Sequence, residues 1–156
     1  MTSKWMFYVL CMSLIGAMGV HLYLAVHHYD LQFGLGAEKS LCNVSERFNC
    51  DTVTASKYSV VMGFPMAVLG FAAHFLLLGA VLWSWLSRQQ NPALNLSVFA
   101  GSVAIAITSV VMFMISHFGV GAYCIFCMAA YVLSLITVAI ITSLYLPSLR
   151  NQPLNT

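Results

Sequence analysis

Charge is what this sequence has least of. Six Lys or Arg and four Asp or Glu make up 6% of its 156 residues, against about 25% in an ordinary soluble domain. Ten charges cannot cover the surface of a water-soluble domain of this size, which excludes a soluble globular enzyme. A chain that is 61% hydrophobic is equally excluded from intrinsic disorder. The net charge of +2 is scattered, so there is no phosphate-binding stripe and no nucleic-acid partner is expected. Internal repeats and low-complexity segments are absent. The first apolar stretch follows Lys4 but ends in His27-His28-Tyr29-Asp30 without a small-residue cleavage site, so it is read as a retained span, not a signal peptide. What is left is an integral membrane protein, read as a single domain over residues 1–156.

Charge-free runs locate the membrane. Residues 5–29, 58–87 and 89–149 contain no Asp, Glu, Lys or Arg, over 25, 30 and 61 residues. A spanning helix needs about 20 residues, so the last run holds two helices. Its break falls at Ser116-His117-Phe118-Gly119-Val120-Gly121, and its first residues, Gln89-Gln90-Asn91-Pro92, are polar and turn-forming. The apolar runs are near-continuous and lack the alternation of a barrel. The expected fold is an all-α membrane protein: a bundle of four transmembrane helices, about 5–28, 58–86, 95–117 and 122–146. One sizeable extracytoplasmic loop, about 29–57, joins the first two. With four spans this loop and the third-to-fourth turn share one face, and both termini share the other. The positive-inside rule is nearly tied, with Lys4, Arg88 and Arg150 facing Lys39, Arg47 and Lys57.

Cys42 and Cys50 lie in the long loop, while Cys124 and Cys127 open the fourth span. Helix parity puts these four on one side of the bilayer. Cys11 lies near the opposite surface and reads as a small buried hydrophobe. Cys124-Ile125-Phe126-Cys127 is a C-x-x-C, a spacing that serves zinc and redox sites alike. A cysteine in the first turn of a helix meets unpaired N–H groups and the positive end of the dipole, which favour a thiolate. Cys127 and Tyr131 continue on the same face, deeper in the bilayer. An inert core stripe is the plainer alternative. Cys42 and Cys50 would stand about 12 Å apart in a continuous helix, so pairing them requires residues 43–49 to turn back. A ring so formed is expected to be exposed and able to swing, which suits a shuttle better than a structural staple. A four-cysteine zinc site is poorly served by the seven-residue gap, and no metal is expected.

The motifs Leu41-Cys42-Asn43-Val44, Asn49-Cys50-Asp51-x-Val53-x-x-Ser56-x-Tyr58-Ser59, Gly63-Phe64-Pro65-x-x-x-x-Gly70 and Cys124-Ile125-Phe126-Cys127-x-x-x-Tyr131 together resemble the vitamin K epoxide reductase family. The resemblance covers about residues 5–146. It implies a four-helix bundle around a membrane quinone of the ubiquinone or menaquinone type. Cys124 and Cys127 match the active-site pair, and Cys42 and Cys50 match the loop pair that exchanges with substrate thiols. Ser56 matches a hydroxyl residue near the active-site cysteines, and Tyr131 matches a tyrosine lining the quinone pocket. Animal members carry an asparagine in the second span that Pro65 to Ala67 do not supply. This favours a quinone-linked thiol oxidase supporting disulfide formation over an epoxide reductase.

Many bacterial members carry a fused thioredoxin-like domain. Here a thioredoxin-fold periplasmic partner is expected to act in trans. Disulfide chemistry belongs outside the cytosol. The expected location is the bacterial inner membrane, with the active site facing the periplasm and the termini in the cytosol. Rival readings are an epoxide reductase using the same thiols, a Cys/His metal transporter or sensor, and a structural membrane subunit. Among other polar residues, His74 reads as a neutral imidazole with a bundle partner. His117 reads as an interfacial side chain or an aid to a thiolate. His27 and His28 sit at headgroup level, and Pro65 is expected to bend the second span. Asn43-Val44-Ser45 is a glycosylation sequon that matters only in a eukaryotic secretory setting.

Overall fold

The computed structural model describes residues 2–34, 42–87 and 91–150. Lys39, Leu41, Arg88 and the Gln89-Gln90 turn lie outside the described residues. Four long helices form the molecule: α1 (Thr2–Phe33), α3 (Met66–Leu86), α4 (Pro92–Ile115) and α5 (Ile125–Arg150). A five-residue helix, α2 (Cys50–Thr54), sits in the loop between α1 and α3. All four long helices have the length and apolarity to cross a membrane, and the protein is an all-α membrane protein.

Helix α1 packs on α3 and α5, and α4 packs on α3 and α5, closing a four-membered ring. Leu10, Leu14, Leu77, Val81, Val98 and Ile141 form a core in the half of the bundle away from the loop. Cys11 packs against this core and is half-buried. The polarity is inverted relative to a soluble bundle. Ser13, His74, Asn95, Ser102, Ser134 and Thr137 face inward, while Trp5, Met12, Leu76, Trp83 and Leu86 face outward. Lipid provides no hydrophobic drive between helices, so small and hydroxylated residues hold the interfaces. Ser13 Oγ donates to the Leu133 carbonyl at 3.0 Å and lies 2.9 Å from Thr137 Oγ1. Ser84 Oγ donates to Asn95 Oδ1 at 3.0 Å, joining α3 to α4.

Three boundaries differ from expectation. The 32 residues of α1 span about 48 Å at 1.5 Å each, so the helix continues past the charge-free run and its last turns project beyond the hydrocarbon. The second span begins at Met66, not at residue 58. Residues 57–65 instead form a 3₁₀ turn (Lys57–Ser59) and a short hairpin. In the hairpin β1 (Val60–Val61) pairs antiparallel with β2 (Phe64–Pro65) around Met62-Gly63. Met62 and Gly63 have φ of +53° and +85°, the two positive angles a tight hairpin turn requires. Pro65, which has no N–H to give a helix, is the residue before the first turn of α3. It marks the start of that helix and does not bend it. Third, α4 does not stop at the Ser116-His117 pair. It runs on as a π-turn (Ser116–Val120) that ends where Gly121, at φ +74°, donates its N–H to the Ser116 carbonyl at 2.9 Å.

Ser13 and Thr137 should couple weakly. A double-mutant cycle with Ser13→Ala and Thr137→Val, read by unfolding in detergent, is expected to give a coupling energy of about 0.6 kcal/mol; zero coupling would mean that the pair does not hold α1 on α5.

Candidate active site

The loop turns back on itself and docks against the start of α5. The Val44 and Ser45 N–H groups donate to the Phe48 carbonyl at 3.0 and 3.2 Å, closing a tight turn. The next residues form a parallel bridge. Tyr123 N–H donates to the Arg47 carbonyl at 2.8 Å, and Asn49 N–H donates to the Tyr123 carbonyl at 3.0 Å. Asn49 caps α2, its side chain accepting from Thr52 N–H at 2.9 Å. Cys50 is the first residue of α2 and Cys124 directly follows Tyr123. The bridge and cap therefore set their Sγ atoms 3.1 Å apart.

Cys42 and Cys50 are joined in a disulfide, with Cα atoms 5.8 Å apart. Cys124 and Cys127 are thiols. The Sγ atoms of Cys42, Cys50 and Cys124 all lie within 4.8 Å of one another. The exposed, swinging ring expected from the sequence is not what forms. Cys42, Cys50 and Cys124 are 2%, 0% and 1% exposed, packed with Leu24 and flanked by Tyr23, Val53 and Phe126. Burial follows because the ring closes against apolar side chains of α1 and α5 instead of standing off in water.

A polar clamp holds the other side of α2. His27 Nε2 donates to Asp51 Oδ1 at 2.8 Å. Asn43 Nδ2 donates to the second oxygen of the same carboxylate, and Asn43 Oδ1 accepts from the Cys50 N–H at 3.0 Å. His27 is thus tied to the loop, and Asn43 is spent on holding the ring. The Asn before a short helix and its acidic second residue were the available sequence signals for this arrangement. Nothing in the sequence linked His27 to Asp51 across 24 positions.

Cys124 stands immediately before α5. Its Sγ accepts the Cys127 N–H at 3.2 Å, the place that a Ser or Asp oxygen fills at an ordinary N-cap. The Cys127 thiol and the N–H groups of Phe126 and Cys127 all favour the Cys124 thiolate. Together they hold its pKa below the usual thiol range, against the opposing effect of burial.

Cys127 and Tyr131 turn the other way, onto a cavity of about 490 Å³ among the four long helices and the loop. Ser56 lies on the same wall, its hydroxyl donating to the Val53 carbonyl at 2.7 Å. Tyr131 and Ser116 both line the cavity. Most of the lining is aliphatic, from residues such as Leu69, Ile105 and Ile115, with a few polar groups. This size and chemistry suit a planar, largely apolar ligand with polar oxygens, and a quinone head group fits that description. His117 faces elsewhere, bonding Tyr123 through its Nδ1. His74 has the bundle partner expected of it, with Ser134 Oγ 3.3 Å from Nε2. His28, Tyr58 and His21 line the cavity as well and were not picked out for it by sequence reasoning: Tyr58 stood in the family motif without an assigned role, and no motif spacing marks the two histidines.

The sequence profile of the vitamin K epoxide reductase family matches residues 7–142. The chain belongs to that family. No curated protein matches the sequence. Membership makes this vitamin K epoxide reductase relative a multi-pass membrane oxidoreductase, of a family whose members work with thiols and quinones.

Two outcomes test the site. In reduced protein, the ultraviolet thiolate absorbance should show one thiolate that survives below the free-thiol pKa of about 8.5. It should disappear only as pH falls through the lowered pKa, and Cys124→Ser should abolish it. Second, Tyr123→Pro deletes a bridge donor. In a chain with Cys42→Ser and Cys127→Ser, the effective concentration of Cys50 for Cys124, measured against glutathione, should fall about tenfold, as expected for roughly 1.4 kcal/mol of lost positioning. An unchanged value would remove the bridge from the account.

Proposed function

We propose that this protein passes electrons from the thiols of a partner protein, through its two cysteine pairs, to a membrane quinone, and so supports disulfide bond formation. The observation that carries the reading is the placement of the four sulfurs. Cys50 and Cys124 are in contact distance, and Cys127 alone of the four lines the cavity. The loop pair meets Cys124 on one side, and Cys127 opens onto the cavity on the other.

The steps balance as thiol–disulfide exchanges. A partner thiolate attacks Cys42 of the Cys42–Cys50 disulfide and releases Cys50. The partner's second thiol then resolves the mixed disulfide, leaving the partner oxidised and the loop a dithiol. Because the ring is buried, the loop must lift before the partner can reach it. Cys50 next attacks Cys124 of an oxidised Cys124–Cys127 pair and releases Cys127. Cys42 attacks Cys50, re-forms the loop disulfide and releases Cys124 as the thiolate its surroundings favour. The arrangement with a loop disulfide and an inner dithiol corresponds to this stage. A quinone of the ubiquinone or menaquinone type, bound in the cavity, would take up the two electrons and two protons of the dithiol. Cys127 and Tyr131 would face it, and the apolar lining would keep water from it. Ser56, with its proton committed to Val53, would contribute its oxygen and bulk.

Oxidative thiol exchange belongs outside the cytosol. We therefore place the loop and the α4–α5 turn in the periplasm of a bacterial inner membrane, with the termini in the cytosol. The partner is a periplasmic protein of thioredoxin fold acting in trans.

Anaerobic mixing of reduced protein with quinone tests the reading. Wild type should form one quinol per dithiol oxidised. Cys127→Ser should form none and should keep its remaining thiols reduced. Full quinone turnover by Cys127→Ser would overturn the relay.

A further inference from the structure

The inner end of the cavity carries two imidazoles that the relay does not use. His21 on α1 and His74 on α3 both line it, with ring centroids 4.9 Å apart. His74 meets Ser134, which lies seven residues beyond Cys127 and hence about 10 Å deeper along α5. A six-membered ring carrying an oxygen at each end fits between the two levels.

The hydrogen bonds determine what this end offers a ligand. His21 Nδ1 is 2.8 Å from the Ala17 carbonyl, and His74 Nδ1 is 2.8 Å from the Gly70 carbonyl. A carbonyl only accepts, so each Nδ1 carries the proton and donates it. A neutral imidazole held this way presents a lone pair at Nε2. That of His74 faces the Ser134 hydroxyl. His21 Nε2 has no hydrogen bond among the described residues, yet no buried side-chain nitrogen or oxygen there lacks a partner. This nitrogen therefore keeps accessible surface on a residue that lines the cavity. A second proton on either ring would create a cation beside the other imidazole, in a lining without a carboxylate. The inner end accepts hydrogen bonds and does not donate them.

The two redox forms of a quinone differ at this point. A quinone oxygen only accepts, whereas a quinol hydroxyl donates. We propose that His21 Nε2 accepts a hydrogen bond from the inner hydroxyl of the quinol, so that the cavity holds the reduced form more tightly than the oxidised one. The proposal rests on the quinone-reducing function above and names the residue that favours its direction. A tenfold preference for quinol corresponds to about 30 mV in a two-electron couple. Gly70 makes the arrangement possible, because a Cβ there would collide with Cδ2 and Nε2 of His21.

The test is equilibrium binding under anaerobic conditions, with no electron transfer possible. A decyl-tailed hydroquinone is titrated into fully reduced protein, and the matching quinone into fully oxidised protein. Wild type should bind the hydroquinone about tenfold more tightly, the worth of one well-made buried hydrogen bond. His21→Phe should lose that tenfold for the hydroquinone and leave the quinone affinity unchanged. Gly70→Ala, which pushes the His21 ring aside, should have the same effect. As a check that alters no protein group, the dimethyl ether of the hydroquinone should bind wild type as weakly as the quinone. Equal hydroquinone affinity in wild type and His21→Phe, or an ether that binds as well as the hydroquinone, would overturn the assignment of His21 while leaving the quinone reading standing. Wild type that binds neither redox form would overturn both.

Discussion

Two backbone hydrogen bonds between the loop and the residue before Cys124 organise the chemistry of this protein. Tyr123 gives its N–H to Arg47 and receives that of Asn49, joining segments about 75 residues apart in the chain. Everything at the site follows from this bridge. It carries Asn49 into position to cap α2, and with the cap comes Cys50 at the tip of that helix. It brings the loop disulfide against Leu24 and Phe126, out of water. It also leaves Cys124 free to face the loop through its Sγ while its backbone starts α5. Side-chain contacts alone would hold a 3.1 Å sulfur–sulfur approach poorly, because each carries rotamer freedom that a paired backbone lacks.

The division of labour between Cys124 and Cys127 has the same simple origin. Cys124 sits before the helix begins, where its sulfur folds back to cap the Cys127 N–H. Cys127, within the first turn, projects toward the bundle axis and the cavity. Two cysteines three residues apart thus look into two media, one toward a loop that water can reach once it lifts and one toward lipid. A helix start is the position where such a split costs little, since the unpaired N–H groups there welcome a thiolate. The bundle beyond it is held by hydroxyl and amide contacts instead of a hydrophobic drive. That explains why Ser13, Ser84, Asn95 and Thr137 point inward.

Burial of the loop disulfide has a kinetic consequence for the proposed relay. A sealed Cys42–Cys50 ring protects its sulfurs from small thiols and makes exchange with a partner depend on loop movement. The clamp of His27, Asp51 and Asn43 then acts as the catch, because it secures α2 from the side opposite Cys124. His27 gains its importance in this clamp from geometry, because it lies 24 positions from Asp51 in the chain.

The amino-acid sequence by itself determined the membrane class, the four spans, the common side of the two cysteine pairs and the family. Each follows from one-dimensional quantities: scarce charge, run length, helix parity and motif order. It also placed Cys127 and Tyr131 on one helical face, because helical periodicity is local. Helix ends were legible only to within a turn or two. The start of α3 was misread because residues 58–65 are apolar enough to continue a span, and only the Met62-Gly63 hairpin, with Pro65 as a barrier, sets the boundary. The burial of the disulfide, the His27–Asp51–Asn43 clamp and the His21–His74 floor of the cavity were decided by tertiary structure alone. Each joins residues on different elements with no fixed spacing between them, and hydrogen bonds across such distances are selected by packing, which no linear pattern records.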